Sequence, residues 1–147
     1  MKKILLLFTI VFFNTFAWET YKTESGGIGI YQDCVAGAES GRIAIFKENN
    51  KYNLIFITSK YEIQPYDYEL GRVWVNAIND LGQGDNFITS AIWLDPDGVQ
   101  FGFKDDYKKF LTNSKWVKFT IPISNGANRV FKFDFSGFNK LIDKIKE

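Results

Sequence analysis

The densest run of functional side chains lies between Lys60 and Gly71, where Tyr61, Tyr66 and Tyr68 interleave with Glu62, Asp67 and Glu69 around Pro65. Tyrosine joins a large apolar ring to a polar tip and is enriched at binding surfaces. These six residues form a candidate binding set, an acidic and aromatic loop suited to docking a basic protein or a sugar. The competing reading of the same run is a long connection between strands whose tyrosines fold back onto the core. The carboxylates admit a second chemistry, because glycoside hydrolysis needs two carboxyl groups facing each other about 5 to 9.5 Å apart. Glu62, Asp67, Glu69, Asp80 and Asp85 fall in two loops, and position in the chain does not show that any two of them converge.

Other chemistries are closed off by composition. The sequence has no histidine, one cysteine and one methionine. A Ser or Cys nucleophile therefore has no imidazole to take its proton, and no Ser-x-x-Lys is present to replace it. Zinc has neither the nitrogen nor the sulfur ligands it prefers. Asp95-Pro96-Asp97-Gly98 offers two carboxylates in a turn but lacks the further oxygen ligands of a calcium loop, and reads as a plain turn. Gly82-Gln83-Gly84 lacks the Lys-Ser/Thr and the helix of a phosphate-cradling loop and reads as a hairpin tip. No catalytic residue, metal or cofactor is expected. Cys34, without an intramolecular disulfide partner, is either a small buried hydrophobe or the site of an intermolecular disulfide or a reactive thiol.

Residues 1–17 have the parts of an export signal: Lys2 and Lys3, an apolar stretch from Ile4 to Phe13, and small residues before a cut after Ala17. The apolar stretch is too short for a membrane span, which needs about 20 residues. No cysteine follows the cut to carry a lipid. The expectation is a periplasmic or secreted protein of a bacterial envelope, with no stable membrane insertion once the leader is removed. Residues 18–147 then form a single β-rich domain. Across the full 147 residues, 18 Lys and Arg nearly balance 17 Asp and Glu, a charge that argues against nucleic acid as partner.

The elements that must position these residues are mostly strands. Phenylalanine occurs 15 times and tyrosine 7 times, against only 3 prolines, a strand-forming balance. Period-two runs fall at Ile28–Tyr31, Arg42–Lys47 and Lys51–Ser59, the last apolar on both sides and therefore central. Glu48-Asn49-Asn50 tolerates positive φ and predicts a hairpin. Arg72–Ile78 puts Val73, Val75 and Ala77 on one side and Trp74 on the other. Phe87–Leu94 and Val99–Lys104, joined by Asp95–Gly98, predict a second hairpin. Trp116–Ile123 and Arg129–Phe135 predict a third, with Val117, Phe119, Phe131 and Phe133 inward and Lys118, Thr120, Lys132 and Asp134 outward. Asp106–Leu111 reads as a short helix. Ser136 is a candidate cap for a final helix whose Phe138, Leu141, Ile142 and Ile145 share one stripe. The whole is mainly β: an antiparallel β-sandwich or partly open barrel of about eight strands with a C-terminal amphipathic helix.

Trp116 to Pro122, a turn, then Phe131 to Phe138 before a closing helix resembles the end of small exported proteins of the VasI kind, associated with type VI secretion. More loosely it resembles the invasion-associated locus B proteins. Arg42–Ile45, Tyr52–Ile57, Arg72–Val75 and Asp95–Phe101 fall where the VasI-like pattern has its earlier strands. Both families commonly carry paired cysteines, which this chain lacks. The resemblance implies a periplasmic β-rich fold and a secretion-related role, and brings no catalytic residue to transfer.

Three functions fit these features. The first is a non-enzymatic module that binds another envelope or secreted protein through a sheet face or the Tyr-rich loop. The second is an inhibitor or immunity protein against a toxin or wall hydrolase. The third is a carboxylate-pair hydrolase of a cell-wall polymer. A row of indoles among Trp18, Trp74, Trp93 and Trp116 on one solvent face would favour sugar binding, whereas inward indoles would serve only the core.

Overall fold

The computed structural model describes residues 18–34, 41–58, 60–67, 69, 71–90, 98–102 and 105–147. The leader lies outside them, as do Tyr68 and Trp93. In chain order the strands are β1 (Glu19–Lys22), β2 (Ile28–Asp33), β3 (Arg42–Glu48), β4 (Lys51–Ile57), β5 (Arg72–Asn79), β6 (Gly84–Ser90), β7 (Gly98–Gly102), β8 (Trp116–Pro122) and β9 (Asn128–Asp134). Helix α1 (Asp105–Thr112) precedes β8, and helix α2 (Phe138–Leu141) runs into a 3₁₀ turn (Ile142–Lys144).

These strands pair antiparallel throughout and give two sheets, ordered β1-β2-β3-β4-β7 and β6-β5-β8-β9. The period-two patterns decide which side of each strand faces the other sheet. Ile30, Ile43, Ile45, Leu54 and Phe56 from the first sheet meet Val73, Val75, Ala77, Val117, Phe119, Ile121, Phe131 and Phe133 from the second, all buried. Phe56 packs across the gap with its ring centroid 4.7 Å from that of Phe131. Burying each such side chain contributes roughly 1.5 to 3 kcal/mol. Leu111 of α1 and Phe138, Ile142 and Ile145 of the last segment extend the same core.

The expected mainly-β architecture, antiparallel and closed by a C-terminal helix, is the one observed. The β3–β4 hairpin forms as its turn chemistry predicts, with Asn49 and Asn50 at φ 50° and 60°. β4 is central, between β3 and β7, although Ile57 on its outer side is 44% exposed. The β8–β9 hairpin also forms. Glu19–Lys22 adds an edge strand whose polar sequence carries no strand signal.

Two local expectations are corrected. The hairpin predicted through Asp95–Gly98 does not exist: β6 pairs with β5 in one sheet and β7 with β4 in the other. A turn sequence specifies a reversal but not which sheet the next strand joins; Asp95–Asp97 themselves lie outside the described residues. The final helix has four residues and no side-chain cap. Gly137, at φ 76°, holds the cap position, while the Ser136 hydroxyl donates instead to the Lys115 carbonyl at 3.3 Å. Phe138, Ile142 and Ile145 of the apolar stripe are buried nonetheless, with Leu141 partly buried beside them, because the 3₁₀ turn keeps Ile142 on the inner side.

After that turn the chain becomes extended and Lys146 pairs with Ile28, with backbone N–H donors at 2.7 and 3.0 Å. The Glu147 carboxylate accepts the N–H groups of Asn49 and Asn50 at 2.7 and 3.1 Å. Gly27 permits this docking, since a Cβ there would lie 3.1 Å from Glu147 Cα and closer still to the Lys146 carbonyl oxygen.

Candidate functional site

The stretch from Glu62 to Gln64 is bound along the end of β8. Ile63 pairs with Ile123, Gln64 N–H donates to the Pro122 carbonyl at 3.0 Å, and the Glu62 carbonyl accepts Ser124 N–H at 2.9 Å. Ile63 is buried and anchors the run in the core. The chain then reverses into β5: Tyr66 N–H donates to the Arg72 carbonyl at 2.9 Å, and Arg72 N–H to the Asp67 carbonyl at 3.0 Å.

This anchoring sends the candidate residues in different directions. Tyr61 is half-buried, its ring edge-on to Phe131 at 6.3 Å. The Arg129 guanidinium lies 5.0 Å from the Tyr61 ring centre and Lys60 Nζ 5.2 Å from it. Tyr66 turns the other way and packs on Trp74, centroids 5.6 Å apart, and each ring is 47% exposed. Glu62 and Glu69 face solvent. Asp67 Oδ1 accepts Glu69 N–H at 3.1 Å, which shapes the turn. Asp80 lies beyond the other end of eight-residue β5, about 25 Å from the Asp67 turn at the usual rise per residue. Its Oδ1 accepts Lys115 N–H at 2.7 Å. Among the described residues, no three Cys, Asp or Glu side chains gather into a metal-holding group.

Trp74 belongs to a larger surface, the outer face of the second sheet. The register aligns Asn76 with Thr120 and Val130 in one row, and Ile78 with Lys118 and Lys132 in the next. Val130 and Ile78 are 47% and 39% exposed. Beyond them Trp116 lies opposite Asp134, half-buried beneath two ammonium groups. Lys132 Nζ is 4.8 Å and Lys118 Nζ 5.2 Å from its ring centre. Alternation along β8 and β9 puts both lysines outward; only the register makes them direct neighbours on one indole. Trp18, by contrast, packs against Phe135 and Phe138 at 5.3 and 5.4 Å and serves the core.

A second polar cluster covers the outer side of β1–β3. Arg42 makes a two-pronged ion pair with Asp33, at 2.7 and 3.0 Å, which raises the Arg42 pKa. Its guanidinium lies 4.5 Å from the centre of the Tyr31 ring. The Tyr31 hydroxyl donates to Glu19 across the β1–β2 pair, and that bond, ahead of burial, raises the Tyr31 pKa. Cys34 is half-buried against the core, its N–H donating to the Gly41 carbonyl at 2.7 Å.

The fold defines a class: small, mainly β proteins built of two antiparallel sheets. Within that class the chain is similar to the crystal structure of invasion associated protein B from Bartonella henselae. The TM-score is 0.61 at 13% identity, covering 86% of this chain and 89% of that one. This likeness shows a common fold. No family model matches the sequence, and no curated protein matches it. The expected VasI resemblance is thus unsupported, whereas the looser one, to the invasion-associated locus B proteins, holds at the level of fold.

Proposed function

We propose that this chain is an exported, non-enzymatic module that binds another envelope or secreted protein through the outer face of its second sheet. The observation that carries this reading is the Tyr66–Trp74 pair, two large rings packed together and each left nearly half exposed. Exposed apolar side chains are ordinary singly, but a contiguous group on a rigid face marks an interaction surface. Trp and Tyr are also the residues that most often dominate binding energy. Of the seven most exposed large apolar residues among those described, Tyr66, Trp74, Ile78 and Val130 lie on this face and Leu81 at its β5–β6 rim. Recognition rather than bond-making is favoured by the lack of histidine and by the wide separation of Asp80 from the Glu62–Glu69 carboxylates. The export signal in the sequence supports an encounter beyond the inner membrane.

The test is a photo-crosslinking residue at Val130 in cells producing the full chain. The expected result is processed protein in the periplasmic fraction, joined to a discrete partner, with the product lost in a Tyr66→Ala, Trp74→Ala double variant. That variant should unfold within about 1 kcal/mol of the parent, as surface changes do. Retention in the cytoplasm, or a crosslink indifferent to both rings, would refute the reading. So would turnover of a wall polymer abolished by neutralising one carboxylate.

A further inference from the structure

We infer that the Trp116 end of this face is an anion subsite that takes a carboxylate from an acidic, aliphatic segment of the partner protein. The inference rests on the docking role proposed above and adds the chemistry of what docks. Lys118 and Lys132 are directly opposite in the β8–β9 register, an arrangement in which like charges repel. Both are half-buried, and both hold their ammonium groups against the same indole. Among the described residues neither forms an ion pair; the salt bridge found there is Arg42–Asp33, on the other sheet. Asp134, the nearest acid along β9, directs Oδ1 to Ser136 N–H at 2.8 Å. Two ammonium groups are therefore gathered on one aromatic platform, and among the described residues no carboxylate lies within ion-pair distance of either, Asp134 included.

The surroundings select the kind of anion. Ile78 is aligned with the two lysines and Val130 sits in the next row, so an anion bound here has exposed aliphatic groups beside it. The Tyr66–Trp74 pair lies about 20 Å further along the sheet, six residues at the strand rise. An extended peptide with acidic and aliphatic side chains meets all three features. A free phosphate would use only the lysines. A nucleic acid would need a broad basic surface, which a chain with net charge +1 does not supply.

The experiment labels the indole N–H groups of the full chain with nitrogen-15 and follows Trp74 and Trp116 by NMR. The probes are a capped Glu-Val-Glu-Ile-Glu-Val peptide, its lysine counterpart, inorganic phosphate, and phosphatidylglycerol vesicles. The expected result is a saturable shift at Trp116 with the glutamate peptide and none with the lysine peptide. Phosphate and vesicles should bind at least about tenfold more weakly, and a Lys118→Gln, Lys132→Gln double variant should lose about tenfold in affinity for the glutamate peptide. If the double variant fails to fold, either single change should lose about threefold. Equal response to both peptides, indifference to the lysine substitutions, or stronger binding of phosphate or vesicles would overturn the subsite. If that happens while the Val130 crosslink still depends on Trp74, the docking face stands and only its acidic partner falls. A glutamate-peptide shift without that crosslink would instead keep the subsite and remove the docking face.

Discussion

Gln32 Nε2 donates to the Asp134 carbonyl at 2.9 Å, and Gln32 Oε1 accepts Asp134 N–H at 2.8 Å. The two residues belong to different sheets. Phe135 N–H donates to the Lys115 carbonyl, so the alternation of a strand turns the Asp134 backbone groups away from β8, toward the open edge of β9. The Gln32 amide occupies that edge as a further strand's peptide group would, and it is 2% exposed. It joins the sheets on one side of the sandwich and covers an edge that would otherwise offer a template for pairing.

Replacing Gln32 by Leu keeps the volume but leaves the Asp134 N–H and carbonyl without their partner. The expected cost is about 2 to 4 kcal/mol, since each stranded group carries a penalty of roughly 1 to 3 kcal/mol. Urea unfolding measures it, and a loss below about 0.5 kcal/mol would mean that water replaces the amide freely.

Asn79, 1% exposed, has the same importance at the C-terminal end of β5. Its Nδ2 donates to Ser114 Oγ at 3.1 Å and Gln83 Oε1 at 3.3 Å, and its Oδ1 accepts the N–H groups of Leu81 and Gln83 at 3.1 and 2.9 Å. One side chain thus shapes the β5–β6 turn and ties it to the end of α1. Asn79→Ala should cost about 3 kcal/mol, with faster amide exchange at Leu81 and Gln83. Unchanged exchange at those amides would contradict this role.

At Gly27 an added methyl meets backbone, the Lys146 carbonyl and Glu147, rather than a side chain that can swing away. Gly27→Ala is expected to lift Lys146–Glu147 off β2 and free the Asn49–Asn50 turn. Hydrogen exchange should then rise about tenfold or more at Ile28, Asn49 and Lys146. Wild-type protection at all three would show that the strand accommodates the methyl by shifting.

The raised Tyr31 pKa sets a pH dependence. The folded state holds this proton more tightly than the unfolded chain does, so the bond to Glu19 contributes fully below the ordinary tyrosine value of 10.0 and is lost as pH climbs through the raised folded value. Tyr31→Phe should be less stable than the parent at about pH 8 and converge with it above the folded pKa. Denaturation midpoints collected from about pH 8 to about pH 11.5 check the sign, and curves that stay parallel would show that the Glu19 contact contributes nothing.

The candidate loop was only partly legible. Its alternating Tyr and acid residues cannot reveal that Ile63 inserts into the core, and that insertion is what turns Tyr61 inward and leaves Tyr66 free to pack on Trp74. Lys118 and Lys132 were readable as outward residues, but which residue each faces depends on the register of the hairpin, and their common indole on how far each side chain reaches. Gln32 carried no signal, because a polar residue at the end of an apolar run looks like the end of a strand.

Local chemistry settled what depends on neighbours a few residues away: which side of β5, β8 and β9 faces inward, the reversals at Asn49-Asn50 and near Gly126, and the exclusion of imidazole-based sites. Only the folded chain decided the sheet order, the separation of β6 from β7, the brevity of the last helix and the Gln32–Asp134 closure. Side-chain alternation is a property of one strand and survives any arrangement of the others. The partner of a strand edge or a buried amide is set by residues up to about a hundred positions away, once closure of the whole sandwich has determined which ones arrive.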